Sequence, residues 1–136
     1  MLDTEDQTPR AARLLGRQLI SIDPDNGEVR LAYFARPDFA NRHGTVQGGM
    51  LAAMLDSATG YAVIATLPEG LTALTMRLET RFLKPASLGV ITAVVRVTRI
   101  DERNASAQAD LLDSMGLTVA TGQAELRVRA RRLQHD

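Results

Sequence analysis

The hydrophobic pattern changes period once along the chain, and the elements follow from that change. From Gly48 to Thr66, Leu51, Met54, Leu55, Ala58, Ala62 and Ala65 recur at helical spacing, which predicts one long helix with an apolar stripe. Pro68 and Gly70 end it. Beyond them the period becomes two. Leu74, Met76, Leu78, Thr80 and Phe82 fall on one face of a predicted strand, and Thr75, Arg77, Glu79 and Arg81 on the other. Lys84 to Gly89 reads as a turn, and strands are predicted at Val90 to Ile100, Ala105 to Leu112 and Leu117 to Arg129. Ahead of the helix, Pro9 to Leu19 predicts a short helix with Pro9 near its first turn. Pro24 to Gly27 is turn chemistry, Glu28 to Ala35 a strand and Pro37 to Val46 a loop.

Four strands joined by short turns must pair antiparallel, because a parallel pair needs a crossover of about a dozen residues. One segregated helix beside such a sheet is an α+β arrangement. The helix covers a single face, so sheet edges and part of the second face stay bare, a liability that self-association relieves. The 136 residues suffice for one domain with a core. Residues 1–20 are expected to be an extension or short helix, and 130–136 a flexible tail.

Composition narrows the partners. Sixteen basic residues balance sixteen acidic ones and aromatics are only 4%, so nothing favours nucleic acid or an anionic membrane. Arg127, Arg129, Arg131 and Arg132 crowd the end of the chain and read as a solvated, frayed tail, with a phosphate contact as the alternative. The apolar run Gly48 to Leu67 is broken by Asp56, Ser57 and Thr59 and reads as a buried helix, not a membrane span. Without cysteine there is no disulfide framework or thiolate nucleophile. The polar, acidic start carries no secretory signal, and a cytoplasmic location is expected.

Two features stand out as chemistry. Gly48 and Gly49 open the long helix although glycine costs about 1 kcal/mol there relative to alanine. Either small residues let the helix pass close to the sheet, or its unpaired N–H groups, at the positive end of the dipole, polarise a carbonyl. Asp56 lies mid-helix in the most apolar stretch. It either reaches solvent on the polar side marked by Ser57 and Thr59, bonds a buried group, or does proton chemistry. The two positions are eight residues apart, about 12 Å along a helix. A single carbonyl cannot touch both within one subunit, so joint action requires a second subunit.

Other chemistries find little support. There is no G-x-S-x-G elbow, phosphate loop or dinucleotide fingerprint. The two histidines, His43 and His135, offer no clustered metal ligands. A set from His43, Asp56 and Ser57 has no supporting spacing. No metal and no cofactor is expected.

Asn41, then Val46-Gln47-Gly48-Gly49, then Asp56-Ser57-Ala58-Thr59-Gly60, then Arg81-Phe82-Leu83-Lys84-Pro85-Ala86 resembles the phenylacetate-degradation branch of the hotdog thioesterase superfamily. The resemblance runs from about Val29 to Val128 and implies a long helix wrapped by an antiparallel sheet of five or six strands. It implies an acyl-CoA thioesterase in which CoA is part of the substrate and no separate cofactor is used. Asp56 matches the catalytic carboxylate, base or nucleophile; Gly48 the N–H that polarises the thioester; Asn41 a polar group positioning water or carbonyl across an interface; and Thr75 a hydroxyl orienting water. Gln47, Gly49, Met54, Phe82, Arg81 and Lys84 are the substrate-binding candidates, the last two toward CoA phosphates, with solvated surface charge as the alternative reading. The acyl group is expected beside Leu51, Met54, Leu55 and Phe82. The resemblance also implies a homo-oligomer, at least a dimer and on the family pattern a tetramer built as a dimer of dimers.

One departure is Gln47, where the family commonly carries His; an amide hydrogen-bonds but does not exchange protons near neutral pH. The alternative reading is a non-catalytic acyl-CoA-binding module. Against it, the roughly 20 residues before Ser21 are too few for a helix-turn-helix. A dehydratase of the same fold would need a histidine on the helix, and Gly48 to Thr66 has none.

Overall fold

In the computed structural model, which describes residues 8–132, the helical stripe becomes α2 (Gly48–Thr66). Its buried side carries Leu51, Met54, Leu55, Ala58 and Ala62, joined by Thr59, Tyr61 and Val63. Thr59 is polar yet fully buried, and its hydroxyl donates to the Leu55 carbonyl at 2.9 Å. The helix stops at Leu67, whose backbone is extended; the ring of Pro68 disfavours helical geometry in the residue before it. By length and composition α2 could cross a membrane, but here its apolar stripe packs against a sheet.

That sheet has six antiparallel strands: β1 (Gln18–Ile22), β2 (Val29–Ala35), β3 (Leu71–Phe82), β4 (Gly89–Ile100), β5 (Asn104–Leu112) and β6 (Thr118–Ala130). Their spatial order is β1-β2-β4-β5-β6-β3. The chain therefore leaves β2, crosses the sheet as α2, and returns as β3 on the far edge. One helix lying along one face of a six-stranded antiparallel sheet is the hotdog arrangement. Alternation is clean in the centre: Val29, Leu31, Tyr33 and Ala35 of β2, and Ile91, Ala93 and Val95 of β4, turn inward to the helix. Alanines at 105, 107, 109, 120 and 124 keep the floor flat beneath α2. At Gly122 the approach is tightest, since an added Cβ would stand 3.3 Å from both methyl carbons of Leu55. Two hairpin turns are tied by carboxylates. Asp101 accepts N–H bonds from Arg103 and Asn104, and Asp113 from Met115 and Leu117. These bonds hold both carboxyls below the usual aspartate range.

The structure departs from the sequence reading at both ends. The expected helix over Pro9 to Leu19 is only α1 (Arg10–Leu14). Gly16 takes φ +69, and two bonds close the helix end: Gly16 N–H to the Arg13 carbonyl at 2.9 Å and Arg17 N–H to the Ala12 carbonyl at 3.0 Å. This paired closure around a left-handed glycine is a Schellman motif. The residues that follow form β1 instead. Both of its faces are exposed, so no period-two signal marks it. At the other end Arg127 and Arg129 are not a frayed tail; they pair in β6 with Leu74 and Thr72 of β3, and Arg131 N–H bonds the Gly70 carbonyl at 2.7 Å. Residues 133–136 of the expected tail and 1–7 of the expected extension lie outside the described residues.

Replacing Gly122 with valine should test the packing under α2. The new side chain must push Leu55 aside, and overpacking of this kind costs about 1–3 kcal/mol. The expected result is a lower denaturant midpoint with an unchanged slope.

Candidate active site

A bulge in β3 builds the first half of the site. Ala73 pairs with Val128 and Thr75 with Leu126, but the next pairs are Arg77 with Glu125 and Leu78 with Ala124. Met76 is the extra residue, and one extra residue reverses the side-chain phase of a strand. Ala73 and Thr75 therefore share the helix-facing side with Leu78, Thr80 and Phe82. Strict alternation, which placed Thr75 with Arg77, Glu79 and Arg81 and Met76 with Leu78, is corrected by this bulge. Leu74 and Met76 are correspondingly 51% and 61% exposed. Turned inward, Thr75 donates its hydroxyl to Asp56 Oδ1 of α2 at 2.7 Å.

Asp56 itself is exposed, on the side of α2 away from Met54 and Leu55. It borders a cavity of about 540 Å³ walled by Ala12 and Leu15 of the N-terminal segment, Ala53, Tyr61 and Ile64 of α2, and Ala73 of β3. Ser57 and Arg17 bring polar groups to the same cavity. The Tyr33 hydroxyl donates to Ser57 Oγ at 2.9 Å and the Arg17 guanidinium donates to the same oxygen at 3.2 Å, while that guanidinium stacks over the Tyr61 ring, 4.8 Å from its centroid. Burial raises the Tyr33 phenol well above the usual tyrosine range, outweighing the Ser57 bond and the Arg17 charge, so it stays protonated and donates. Sequence reasoning missed Arg17 and Tyr33. Tyr33 did leave a signal, because a tyrosine on the buried face of a strand needs a partner for its hydroxyl. Arg17 left none, since only the Schellman closure places it.

The second half of the site lies at the start of α2. Gln47 caps the helix without a side-chain hydrogen bond. Its own N–H goes to the Phe39 carbonyl at 2.8 Å, and its carbonyl takes the N–H groups of Met50 and Leu51. Among the described residues the Gly48 and Gly49 N–H groups have no backbone acceptor. Close packing within the chain does not account for these glycines: a Cβ on Gly48 would make ordinary 3.6 Å contact with the Phe82 ring, and one on Gly49 would meet open space. Gly48, Phe82, Asn41, His43, Thr45 and Lys84 surround a second cavity of about 450 Å³. Asn41 spends much of its amide on the loop before the helix. Its Oδ1 accepts the His43 and Thr45 N–H groups at 2.9 and 3.1 Å, and its Nδ2 donates to the Thr45 hydroxyl at 2.9 Å.

The structure thus gathers the expected residues into two sets that share no lining residue, Asp56 with Thr75 and Asn41 with Gly48, Phe82 and Lys84. The other candidates stand apart from these two sets. Met54 and Leu55 are fully buried and line neither cavity, because the close approach of α2 to the sheet turns them into the core. Arg81 projects from the helix-free face of the sheet beside Glu79, Gln108 and Asp110, away from Lys84, which pairs with Asp113 at 3.3 Å. Gln47 and Gly49 are exposed at the helix start. His43 borders the cavity that excludes Asp56 and Ser57, so these three do not assemble within one chain. Among the described residues no group of three or more His, Asp or Glu is arranged to hold a metal ion.

The fold is that of a hotdog domain, with a carboxylate on the central helix and N–H groups at its start that have no backbone acceptor among the described residues. Residues 43–120 match the thioesterase superfamily, and the chain belongs to that superfamily of thioester hydrolases. A Halobacterium salinarum protein with a provisional esterase name is 33% identical over 116 residues, 78% of this chain and 77% of that protein. A phenylacetic acid degradation-related protein of Ralstonia eutropha JMP134, provisionally a thioesterase, is 35% identical over 88% of this chain and 90% of its own, with TM-score 0.84. A Bacillus halodurans protein solved with CoA is 25% identical over 92% of this chain and 82% of its own, with TM-score 0.80. The resemblance to the phenylacetate-degradation branch and the hotdog architecture are both borne out.

Thr75→Val removes the bond to Asp56 while keeping the shape of the side chain. A hydrogen bond to a charged group is worth about 1.5–3 kcal/mol, so thioester turnover should fall roughly ten- to hundredfold. The denaturation midpoint should change little, because the bond lies at the exposed edge.

Proposed function

We propose that the protein hydrolyses acyl-CoA thioesters at a site completed by a second copy of the chain. The observation that carries this reading is where the two half-sites lie along β3. Thr75, bonded to Asp56, stands near one end of this edge strand, and Phe82, beside Gly48, stands at the other. Antiparallel pairing of β3 with the β3 of a second copy, centred on Glu79 with Met76 bulged out of the ladder, sets Thr75 opposite Phe82 on the same face across a two-fold axis. Asp56 of one subunit then faces the α2 start of the other, twice per dimer. The same pairing covers the exposed Leu74 and Met76 and closes an otherwise bare sheet edge.

In this arrangement the thioester carbonyl oxygen receives the Gly48 and Gly49 N–H groups of one subunit. Negative charge that develops on the oxygen is stabilised by fixed donors at the positive end of α2. Asp56 of the other subunit, oriented by Thr75, takes a proton from water as the water oxygen adds to the carbonyl carbon. Collapse of the adduct breaks the C–S bond, and CoA leaves as the thiol once its sulfur is protonated. Direct attack by the carboxylate uses the same placement. Gln47 supplies an amide where a histidine would titrate, so proton transfer falls to Asp56. The acyl group occupies the cavity beside Asp56, and Lys84 at the rim of the other cavity lies where CoA phosphates would pass. The CoA held by the Bacillus halodurans relative supports the substrate class, and no separate cofactor is invoked. Dimers pairing through their helix-free faces to a tetramer in the cytoplasm complete the proposal.

Thiol release from short, medium, long and aryl acyl-CoAs, with wild type and Asp56→Asn compared, tests the reading. Loss of the base should lower kcat by about 10²–10⁴-fold while the oligomer is retained. Wild type that binds acyl-CoA but releases no thiol would point to the binding module instead.

A further inference from the structure

The cavity beside Asp56 holds a hydrogen-bond donor for which the hydrolysis itself has no use. A serine hydroxyl has two acceptor lone pairs and one proton. At Ser57 both acceptor positions are filled, one by the Tyr33 hydroxyl at 2.9 Å and one by the Arg17 guanidinium at 3.2 Å. Arginine can only donate, and the Tyr33 hydroxyl, deep under α2, makes its hydrogen bond to Ser57. The Ser57 proton must therefore go elsewhere. In a helix it would ordinarily return to a carbonyl of the preceding turn, as Thr59 does to Leu55 and Thr66 to Val63. Ser57 makes no such bond and has no acceptor among the described residues, yet it lines the cavity that holds Asp56 and Thr75. Its hydroxyl is a fixed donor aimed into that space. The walls around it are mostly apolar, so a group buried against this donor is favoured when it carries an acceptor oxygen.

We infer that Ser57 is a specificity-determining residue that selects acyl groups bearing a second keto or carboxylate oxygen close to the thioester, with Arg17 and Tyr33 as the positioning residues that hold it as a donor. This rests on the assignment of the cavity to the acyl group made above. A plain hydrocarbon acyl chain leaves the Ser57 proton buried without a partner, and a site built to hydrogen-bond a substrate discriminates strongly against the analogue lacking that group. The N-terminal segment thereby takes part in substrate choice although it lies outside residues 43–120, the part that matches the superfamily. It forms one wall through Ala12 and Leu15 and sets the polar end through Arg17.

The test uses pairs of acyl-CoAs of equal length, one plain and one carrying a keto or terminal carboxylate oxygen. For each pair kcat/KM is measured by thiol release, and affinity by calorimetry with the non-hydrolysable thioether analogues. Wild type should prefer the oxygenated member by about tenfold or more in both measurements. Ser57→Ala should bring that ratio to near one. Tyr33→Phe, which frees one Ser57 lone pair, should give an intermediate ratio and serves if Ser57→Ala does not fold. A wild-type ratio near one, or variants that lower both members equally and leave the ratio unchanged, overturns the inference. Thiol release without preference sinks this inference and leaves the thioesterase standing. A tenfold affinity preference without any thiol release does the reverse.

Discussion

A 2.7 Å hydrogen bond from Thr75 to Asp56 ties the edge strand of the sheet to the helix that crosses it, and the candidate site takes its geometry from that tie. It exists only because Met76 is bulged out of the β3–β6 register. Without the extra residue Thr75 would face the other side of the sheet, and Asp56 would be a carboxylate on an exposed helix face with nothing to orient it. The bulge also turns Leu74 and Met76 outward along the edge. One local irregularity therefore sets both the Thr75–Asp56 contact on the inner side and the apolar border along the edge.

The rest of the molecule holds α2 in place for that contact. Alanines and Gly122 on the floor of the sheet let the helix sit low, with Leu55 against Gly122 and Thr59 satisfied inside the helix itself. This close seating forces Met54 and Leu55 into the core and leaves Asp56 and Ser57 on the open side. The same helix begins at two glycines whose N–H groups are not used by the backbone of the described residues. Core packing, the carboxylate and the N–H groups of the helix start are thus arranged along one rigid element. A distance of about 12 Å along α2 separates Gly48 from Asp56.

The sequence disclosed elements wherever one face was buried. The stripe from Leu51 to Ala65 and the alternation in β4, β5 and β6 required these elements, and Asp56 and Gly48 were legible because both break local rules, a charge in an apolar helix and glycines at a helix start. Features that bury no periodic face stayed hidden. Strand β1 is exposed on both sides, and the stop of α1 depends on a single glycine with positive φ. The bulge at Met76 is illegible because an extra residue in an apolar run looks like one more turn of the alternation; the phase read for Thr75 fails for that reason, and the structure turns its hydroxyl to Asp56. Met54, a substrate candidate through the resemblance, is carried into the core by the depth of helix seating. Arg17 reached the cavity through a loop closure that spacing does not encode.

Subunit complementation tests the shared site most directly. Gly48 is the first residue of α2 and Gln47 before it is extended, so Gly48→Pro should remove one N–H donor while keeping the helix start. Asp56→Asn removes the carboxylate. If each active site draws these groups from different subunits, mixing the two inactive variants yields hybrid dimers with one intact site. Activity should then return to about a quarter of wild type with random pairing. No recovery on mixing, with hybrid dimers demonstrably formed, would show that each chain completes its own site and would contradict the account.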